Sequence, residues 1–347
     1  MSTHEVKFGV DTFGDVTAGP DGTPLSHGQV LRDVVEEGVF ADQVGLDFFG
    51  VGEHHRADFA VSAPDVVLAA IAARTERIHV GSAVTVLSSD DPVRVYQRFA
   101  TLDGISGGRA EVILGRGSFT ESFPLFGYDL TQYELLFEEK LELFHALVQG
   151  GPVTWQGKTR PALNQQSVFP TVENGPLRTW IGVGGSPESV VRAARFGFPL
   201  VLAILGGSPS RFRPYVDLFG RALDQLEQPR LPVAVHVPGF IADTDEEARD
   251  LFFPHHKAMM DAIGRERGWS PMTRDRFEEE VAPDGALHLG SPETVAQKIA
   301  KTVDALGLER IDLKYSAGTL PHSAIMHNLE LYGTQVVPRV RELLAAR

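Results

Sequence analysis

The amino-acid sequence predicts a closed barrel of eight parallel strands surrounded by helices, the (β/α)8 or TIM-barrel fold. Short runs rich in β-branched and aromatic residues alternate along the chain with longer segments in which apolar residues recur at helical spacing. Glycine, proline, aspartate or serine stands at most junctions between them, as expected of turns. The strand-like runs number eight, which is the count of the closed barrel.

The predicted strands are short and largely apolar, as parallel strands buried on both faces are expected to be. In chain order they cover residues 7–11, 47–52, 78–87, 109–114, 178–183, 199–204, 232–241 and 310–315. The main alternative is an open, doubly wound sheet, in which a dinucleotide site would carry a GxGxxG motif after the first strand. The chain reads DTFGDVTAG at residues 11–19, which lacks that spacing and favours the barrel.

The helical segments fill the intervals between the strands. They are predicted at residues 29–44, 64–74, 92–105, 131–148, 187–196, 208–226, 245–267, 292–306 and 324–344. Gly45 follows the first of them as a C-terminal glycine cap, and Pro64 suits the first turn of the second. Two stretches fall outside the alternation, a hairpin-like one at 150–178 and an irregular one at 268–290. We predict that both are insertions in a single domain spanning residues 1–347.

Composition excludes several classes of protein and site. None of the 347 residues is cysteine, which excludes disulfides, cysteine–zinc sites and thiol catalysis and fits a reducing cytosol. The formal net charge of -14 argues against nucleic acid and anionic membranes as partners, because both attract basic surfaces. No apolar run approaches the roughly 20 residues of a membrane helix, and the N-terminus does not resemble a signal peptide. We therefore expect a cytoplasmic protein.

The second predicted strand leads into the most polar candidate site, residues 53–56 (EHHR). In a (β/α)8 barrel, ligands bind at the carboxyl ends of the strands, so this segment is expected at the mouth. Histidine titrates near neutral pH and can transfer protons, although a hydrogen-bonded cluster closing the mouth would have the same sequence. Adjacent residues of an extended chain point to opposite sides, so we expect no metal site here. A second pair, His255-His256, lies in a predicted helix and is expected to face solvent.

Two loops after neighbouring strands suggest a phosphate site. Residues 115–118 (GRGS) place Arg116, a side chain suited to bidentate phosphate contacts, between glycines. Residues 184–189 (GGSPES) run directly into a helix, whose free N–H groups attract anions. Each loop also has an ordinary interpretation, a tight turn in the first case and a helix N-cap by Ser186 with Pro187 after it in the second. Together they predict a phosphate-bearing cofactor between the two loops.

Four segments together resemble the luciferase-like monooxygenase family over nearly the whole chain. They are residues 50–55 (GVGEHH), 81–117, 125–129 (LFGYD) and 180–197 (WIGVGGSPESVVRAARFG). The resemblance implies a (β/α)8 barrel, usually dimeric, that binds FMN or, in some members, the deazaflavin F420. It also implies a reaction in which reduced FMN and O2 form a C4a-peroxyflavin, which transfers one oxygen atom to a small organic substrate.

The resemblance carries over to individual positions. It implies that His54 is the catalytic histidine near the flavin ring, where it assists proton transfer. It predicts a non-prolyl cis peptide beneath the isoalloxazine, and an arginine and a glycine–serine turn around the phosphate. The residues implied to bind the cofactor are Ala83, Val84, Gly115, Arg116, Gly184, Gly185, Ser186 and Ser189.

Two departures separate this chain from the light-emitting luciferases. Gly115 stands where the luciferase α subunit has a reactive cysteine, and the turn at 185–186 reads Gly-Ser where that subunit has Glu-Ser. A broader flavin-dependent monooxygenase is therefore expected. An F420-dependent hydride-transfer enzyme and a non-catalytic flavin-binding protein stay open as alternatives. A metal-dependent barrel hydrolase is disfavoured, because the strand ends lack a carboxylate–histidine ligand set.

The partners follow mainly from the resemblance, which implies a homodimer. No run resembles an NAD(P)H-binding module, so a separate flavin reductase is expected to deliver reduced FMN. The substrate is expected to enter under an apolar cover whose candidate residues are Phe13, Phe119, Phe123 and Phe126, unless these rings simply pack a long loop.

Overall fold

The computed structural model describes residues 5–19, 21–117 and 119–346, and a closed barrel of eight parallel strands lies at its centre. Each strand pairs with the next and the last pairs with the first, which confirms the predicted fold and excludes the open sheet. The barrel strands are β1 (Lys7–Thr12), β2 (Phe48–Val51), β3 (His79–Ser82), β4 (Ala110–Gly115), β5 (Arg178–Val183), β6 (Leu200–Ala203), β7 (Val233–Ile241) and β8 (Arg310–Lys314).

Helices surround the barrel and bury their apolar faces against it. Polar caps fix where several of them begin, because a side-chain oxygen accepts a hydrogen bond from a free N–H of the first turn, as Ser26 does from Gln29 and Thr244 from Glu247. The helices are α1 (His27–Gln43), α2 (Pro64–Ala72), α3 (Pro92–Ser106), α4 (Tyr133–Val148), α5 (Pro187–Phe196), α6 (Arg213–Gln225), α7 (Asp245–Arg267), α8 (Arg274–Val281), α9 (Pro292–Leu306), α10 (His322–Leu331) and α11 (Val337–Ala345).

The third predicted strand is interrupted. Strand β3 ends at Ser82, and a strand of two residues, Thr85–Val86, resumes pairing with β4. The peptide bond between Ala83 and Val84 is cis, as the resemblance predicts. The last predicted helix is also interrupted, because a π-helical turn, Tyr332–Val336, separates α10 from α11.

The stretch at 268–290, predicted to be irregular, contains regular secondary structure. It contains α8, which begins at the cap residue Thr273 and buries Phe277 and Val281, and a short strand, His288–Gly290, beside the end of β7. The two apolar residues stand four apart, which is helical spacing, but the segment is too short and too charged for that signal to stand out. The predicted hairpin within 150–178 is present as two antiparallel strands, Val153–Trp155 and Leu163–Gln166.

The histidine pair on α7 is only partly exposed, so the expectation of a solvated pair is wrong for His256. That side chain is buried, stacks on Phe252 with ring centroids 5.4 Å apart, and has Nε2 3.3 Å from Glu280. The physical reason is that α8, not recognised in the sequence, covers this side of α7 and supplies Glu280 and Phe277.

Near the amino-terminal ends of the strands, the interior of the barrel is filled by the charged side chain of Arg310 among aromatic rings. The guanidinium of Arg310 lies 4.1 Å from the ring centroid of Phe48 and 4.3 Å from that of Trp180. Its Nη1 donates to Glu111 at 2.6 Å. Burial alone would raise the pKa of Glu111, but Arg310 and His79 lower it to about 2. The ion pair between Arg310 and Glu111 therefore stays charged and fills the end of the barrel opposite the mouth.

Candidate active site at the carboxyl ends of the strands

His54 follows β2 and lies in an aromatic cage at the barrel mouth. Its ring centroid is 4.8 Å from Phe13, 4.6 Å from Phe59 and 4.8 Å from Phe119. Its backbone N–H donates to the carbonyl of Val61 at 3.0 Å, which fixes the direction of the side chain. An imidazole held in this way is shielded from bulk water but is positioned to transfer a proton within the mouth.

Glu121 is the carboxylate nearest to His54. Its Oε1 lies 3.8 Å from His54 Nδ1, which is an ion-pair distance and too long for a hydrogen bond, and accepts from the backbone N–H of His55 at 3.4 Å. Burial would raise the pKa of Glu121, but its interactions with His54 and with backbone N–H groups lower it overall. An ionised Glu121 therefore lies at ion-pair distance from the imidazole of His54. This contact could not be predicted from the sequence, because it depends on the path of the loop after β4.

Glu53 and His55 point away from the cage, as expected for neighbours on an extended chain. Both line a separate polar cavity of about 360 Å³. Glu53 accepts from the backbone N–H of Val86 at 2.8 Å, and burial raises its pKa to about 7. The ring of His55 meets that of Phe126 edge-on at 5.0 Å. We infer that Glu53 supports the chain just after the cis peptide, while only His54 faces the mouth.

Three glycines make room for the cis peptide between Ala83 and Val84. A Cβ at Gly50 would lie 2.9 Å from the Cβ of Ala83, and one at Gly52 would lie 2.5 Å from the Ala83 carbonyl oxygen. A Cβ at Gly115 would lie 2.6 Å from a methyl group of Val84. These separations are shorter than any ordinary contact, so each position requires glycine. The glycine that replaces the luciferase cysteine thus has a packing reason in this chain.

Arg116 and Ser189 come together as the sequence predicts. Arg116 Nη2 donates to the Ser189 hydroxyl at 3.3 Å, although the two residues follow different strands, β4 and β5. Ser186 also has its ordinary role, since its hydroxyl caps α5 by accepting from the N–H of Ser189. The N-cap interpretation of the 184–189 turn is therefore confirmed, and the same turn lies beside Arg116, while phosphate binding stays a prediction. Ser118 of the predicted loop lies outside the described residues.

Two further residues, neither of them predicted from the sequence, contact this candidate anion site. Arg192 Nη1 donates to the Ser189 hydroxyl at 3.3 Å, so two guanidinium groups converge on one serine. Arg192 stands three residues after Ser189 on α5, and this helical spacing could have revealed it. Tyr215 supports the turn by donating to the carbonyl of Gly185 at 2.8 Å. Gly185 has φ +114°, a conformation that side chains rarely adopt.

A carboxylate occupies the space between the two arginines. Glu134, which is exposed on α4, pairs with Arg116 Nη1, and its Oε2 lies 3.4 Å from Arg192 Nη2. Two guanidinium groups around one anion are also the arrangement that binds a phosphate. Glu134 therefore stands where the oxygens of a phosphate would bind.

The predicted aromatic cover is half correct. Phe13 and Phe119 contact His54, and Phe59 does so in addition. Phe123 is fully buried and packs 5.6 Å from Tyr133, while Phe126 is 51% exposed. Both belong to a short helix, Ser122–Phe126, whose formation turns them away from the mouth. For these two rings, packing of the long loop is the correct interpretation.

Two features are missing from the part of the chain that the structure describes. No group of three or more His, Asp or Glu side chains is arranged there to hold a metal ion. None of its helices combines the length and the apolar character needed to cross a bilayer.

The comparison with known sequences gives a match over most of the chain. The sequence model of the luciferase-like monooxygenase family matches residues 6–310. The alpha chain of an alkanal monooxygenase from Photorhabdus laumondii is 23% identical over 369 aligned positions, which cover 95% of this chain and 98% of that protein.

Solved structures share the fold. The oxygenating constituent of 3,6-diketocamphane monooxygenase from Pseudomonas putida, a type II Baeyer-Villiger monooxygenase in complex with FMN, matches with a TM-score of 0.76 at 19% identity over 96% of this chain and 99% of its own. An F420-dependent secondary alcohol dehydrogenase, in complex with an F420–acetone adduct, matches with a TM-score of 0.75 at 16% identity over 97% and 99%. Proteins of this fold thus bind either cofactor.

Proposed function

Because the chain belongs to the luciferase-like monooxygenase family, we propose that it is a flavin-dependent monooxygenase that uses reduced FMN and O2 to oxygenate a small organic substrate. One observation carries the proposal. The ends of β2 to β5 form one mouth with the caged His54 at one side and an anion site of Arg116, Ser189 and Arg192 at the other. A flavin has the same two parts, a reactive ring and a distant phosphate.

The residues present fit such a cofactor. When bound, reduced FMN would supply the electrons with which O2 is activated. Arg116 and Arg192 would bind the phosphate oxygens, and the start of α5 would add its free N–H groups. His54, beside Glu121, would give or take a proton where charge develops. The surrounding phenylalanine rings would exclude water from that region.

The charges around the anion site favour FMN over F420. FMN ends in a phosphate monoester, whose two negative charges suit two guanidinium groups. F420 continues beyond its phosphate into a polyglutamate tail. Three carboxylates, Glu134, Glu138 and Glu188, lie beside the arginines and the turn, and their negative charge would repel such a tail. F420-dependent hydride transfer is therefore the second candidate.

The experiment that tests the proposal is an anaerobic titration of the purified protein with FMN, reduced FMN and F420. It is followed by isotopically labelled O2 in the presence of alkanals and cyclic ketones, the substrate classes that the relatives' names suggest. We expect reduced FMN to bind in preference to F420 and labelled oxygen to appear in a product. Preferential F420 binding without labelled product would overturn the monooxygenase. Tight flavin binding without any oxygen chemistry would instead favour the non-catalytic alternative.

We also propose that a separate flavin reductase supplies the reduced FMN. The sequence carries no run that resembles an NAD(P)H-binding module. Under this proposal the purified chain does not oxidise NADH in the presence of FMN, and product forms only when a reductase is added.

Replacing Glu134 with glutamine should tighten FMN binding. Glu134 pairs with the arginines that we assign to the phosphate, so the two anions compete. An exposed ion pair contributes up to about 1 kcal/mol, so removing the charge should lower the Kd of FMN by roughly threefold to fivefold. Fluorescence titration measures this. Glu142→Gln is the control and should change nothing, because Glu142 lies on the same helix and has no arginine paired with it in the part of the chain that the structure describes. A weaker or unchanged Kd in Glu134→Gln would show that the carboxylate does not compete.

We propose that the protein is a homodimer joined through α2 and α3. An open groove of about 310 Å³ between these helices presents the apolar side chains of Val66, Ala69, Leu102 and Ile105 among polar ones, and Val66 is 65% exposed and Ile105 53% exposed. A single chain gains nothing by exposing such a groove, whereas a second copy would bury it. The double variant Val66→Glu/Ile105→Glu should be monomeric by light scattering. Val191→Glu, at an exposed site on α5, should not alter the mass; an unchanged mass for the double variant would refute this interface.

A further inference from the structure

A second carboxylate–histidine pair lies inside the barrel mouth. Asp11 on β1 and His236 on β7 project into the barrel from either side of β8, and His236 Nδ1 donates to Asp11 Oδ2 at 2.7 Å. Asp11 is buried, whereas 12% of the His236 side chain stays exposed. No motif or spacing in the sequence predicts this pair.

The pair borders the place proposed for the flavin ring. Asp11 and Ala83 lie on either side of Gly50, which has no side chain. A Cβ built on Gly50 would lie 2.9 Å from the Cβ of each of them. The ring of Phe13 stacks on that of His236 with centroids 6.2 Å apart, and it meets the ring of His54 edge-on at 4.8 Å. His54 and His236 therefore both lie against Phe13, at the same opening of the barrel.

Charged groups around His236 favour its protonated form. Burial alone would lower the pKa of His236, but the charge of Asp11 and its hydrogen bond, with a smaller contribution from Asp312, outweigh burial and raise it, against an opposing effect of Lys314. Burial raises the pKa of Asp312 itself to about 7, so Asp11 is the main source of this stabilisation. Lys314 is itself neutralised by Asp15 at 2.6 Å. Because the pKa is raised, the imidazolium is present at lower pH and is lost as the pH rises through that raised value.

The outer edge of the imidazole is available to a ligand. Within the described residues, Nε2 of His236 has no hydrogen-bond partner, although Nδ1 is held firmly. A purely structural ion pair would be expected to satisfy both ring nitrogens. Here one nitrogen is anchored by a carboxylate and the other is left with a free N–H, which is how a histidine is oriented towards a bound group.

We propose that the Asp11–His236 pair makes the protein selective for the reduced state of its flavin. Asp11 holds the imidazole through Nδ1, and the positive charge and Nε2–H of His236 compensate the negative charge that the ring acquires on reduction. This inference rests on the proposed function. It predicts that the imidazolium stabilises bound reduced FMN more than bound oxidised FMN, since the oxidised ring is neutral.

Binding measurements test the proposal without any substrate. The Kd of oxidised and of reduced FMN is measured anaerobically across the pH range for the wild type and for His236→Asn, whose amide can still donate to Asp11. We expect the wild type to bind reduced FMN about tenfold more tightly than oxidised FMN. We expect the variant to lose this preference while its affinity for oxidised FMN stays within about threefold. Comparing the wild type with the variant at the same pH removes the effect of the ionisation of free FMN. The amount by which the wild type prefers reduced FMN more strongly than the variant does should decline as the pH rises.

His322→Asn is a matched control. His322 Nδ1 also pairs with a carboxylate, Glu37 at 2.9 Å, and its pKa is also raised, but both residues lie on helices outside the barrel. This variant should keep the preference for reduced FMN. If His236→Asn does not fold, Asp11→Asn is used instead and should shift the loss of preference to lower pH, because the imidazole loses its nearest negative charge.

Two outcomes would overturn the inference. One is a His236→Asn protein that keeps the full preference for reduced FMN, and the other is a variant that loses affinity for both redox states equally, which would indicate a structural role. A wild-type protein that binds FMN in neither state would instead refute the proposed function, and this inference would fall with it.

Discussion

His54→Ala is expected to bind FMN with nearly unchanged affinity and to lose at least about a hundredfold in oxygen transfer. Positioned acid–base groups contribute roughly 10²-fold to 10⁴-fold to rate. The imidazole lies in the phenylalanine cage beside Glu121, whereas the anion site is formed by residues after β4 and β5. Catalysis and phosphate binding should therefore separate in this variant. The measurement is FMN titration together with the rate of product formation from the best substrate found.

His55→Ala is the control for this experiment. His55 is the next residue, but its ring faces Phe126 and a separate cavity. It should retain most of the activity. If His54→Ala instead loses its fold, or loses FMN affinity and activity in proportion, the histidine serves the structure of the mouth. If the variant keeps wild-type rates, proton transfer at this position has been wrongly assigned.

The double variant Arg116→Met/Arg192→Met should bind FMN at least a hundredfold more weakly than the wild type. Each arginine donates to the Ser189 hydroxyl at 3.3 Å and would contact the same phosphate. A hydrogen bond to a charged group contributes about 1.5–3 kcal/mol, which corresponds to roughly tenfold to hundredfold in Kd for each arginine. Methionine keeps the unbranched apolar stem of the side chain and removes the guanidinium group with its charge and its donors.

Riboflavin distinguishes loss of the phosphate site from general damage. It has the same ring without the phosphate, so its affinity should be similar in the wild type and in the double variant. Arg195→Met is a second control, because Arg195 pairs with Glu138 and makes no contact with Ser189. An equal loss of affinity for FMN and riboflavin would place the phosphate elsewhere on the molecule.

Local signals predicted most of the fold. Ser186 at the cap and Pro187 in the first turn correctly predicted where α5 begins, because a helix start depends on residues that are adjacent in the sequence. Arg116 and Ser189 were also predictable, because neighbouring strands of a barrel bring their loops together. Nothing in residues 78–87 predicts the cis peptide after Ala83, which was expected only from the family resemblance.

What the sequence did not reveal depends on distant pairing. Glu121 and Phe59 reach His54 from two different loops, and nothing in either loop specifies its path. Asp11 and His236 are 225 positions apart along the chain and meet only once β8 lies between their strands. The side of β7 that faces the barrel can be read from alternation only when one face is polar, and both faces of a barrel strand are buried.

The filled amino-terminal end of the barrel limits the order in which ligands can enter and leave the mouth. Arg310 packs between Phe48 and Trp180 and pairs with Glu111, so that these four side chains fill the barrel near the amino-terminal ends of the strands. Under the proposed function, organic substrate, flavin and product would share the opening at the carboxyl ends of the strands. We therefore expect steady-state kinetics to show ordered rather than random binding, because the ligand that lies deeper must enter first.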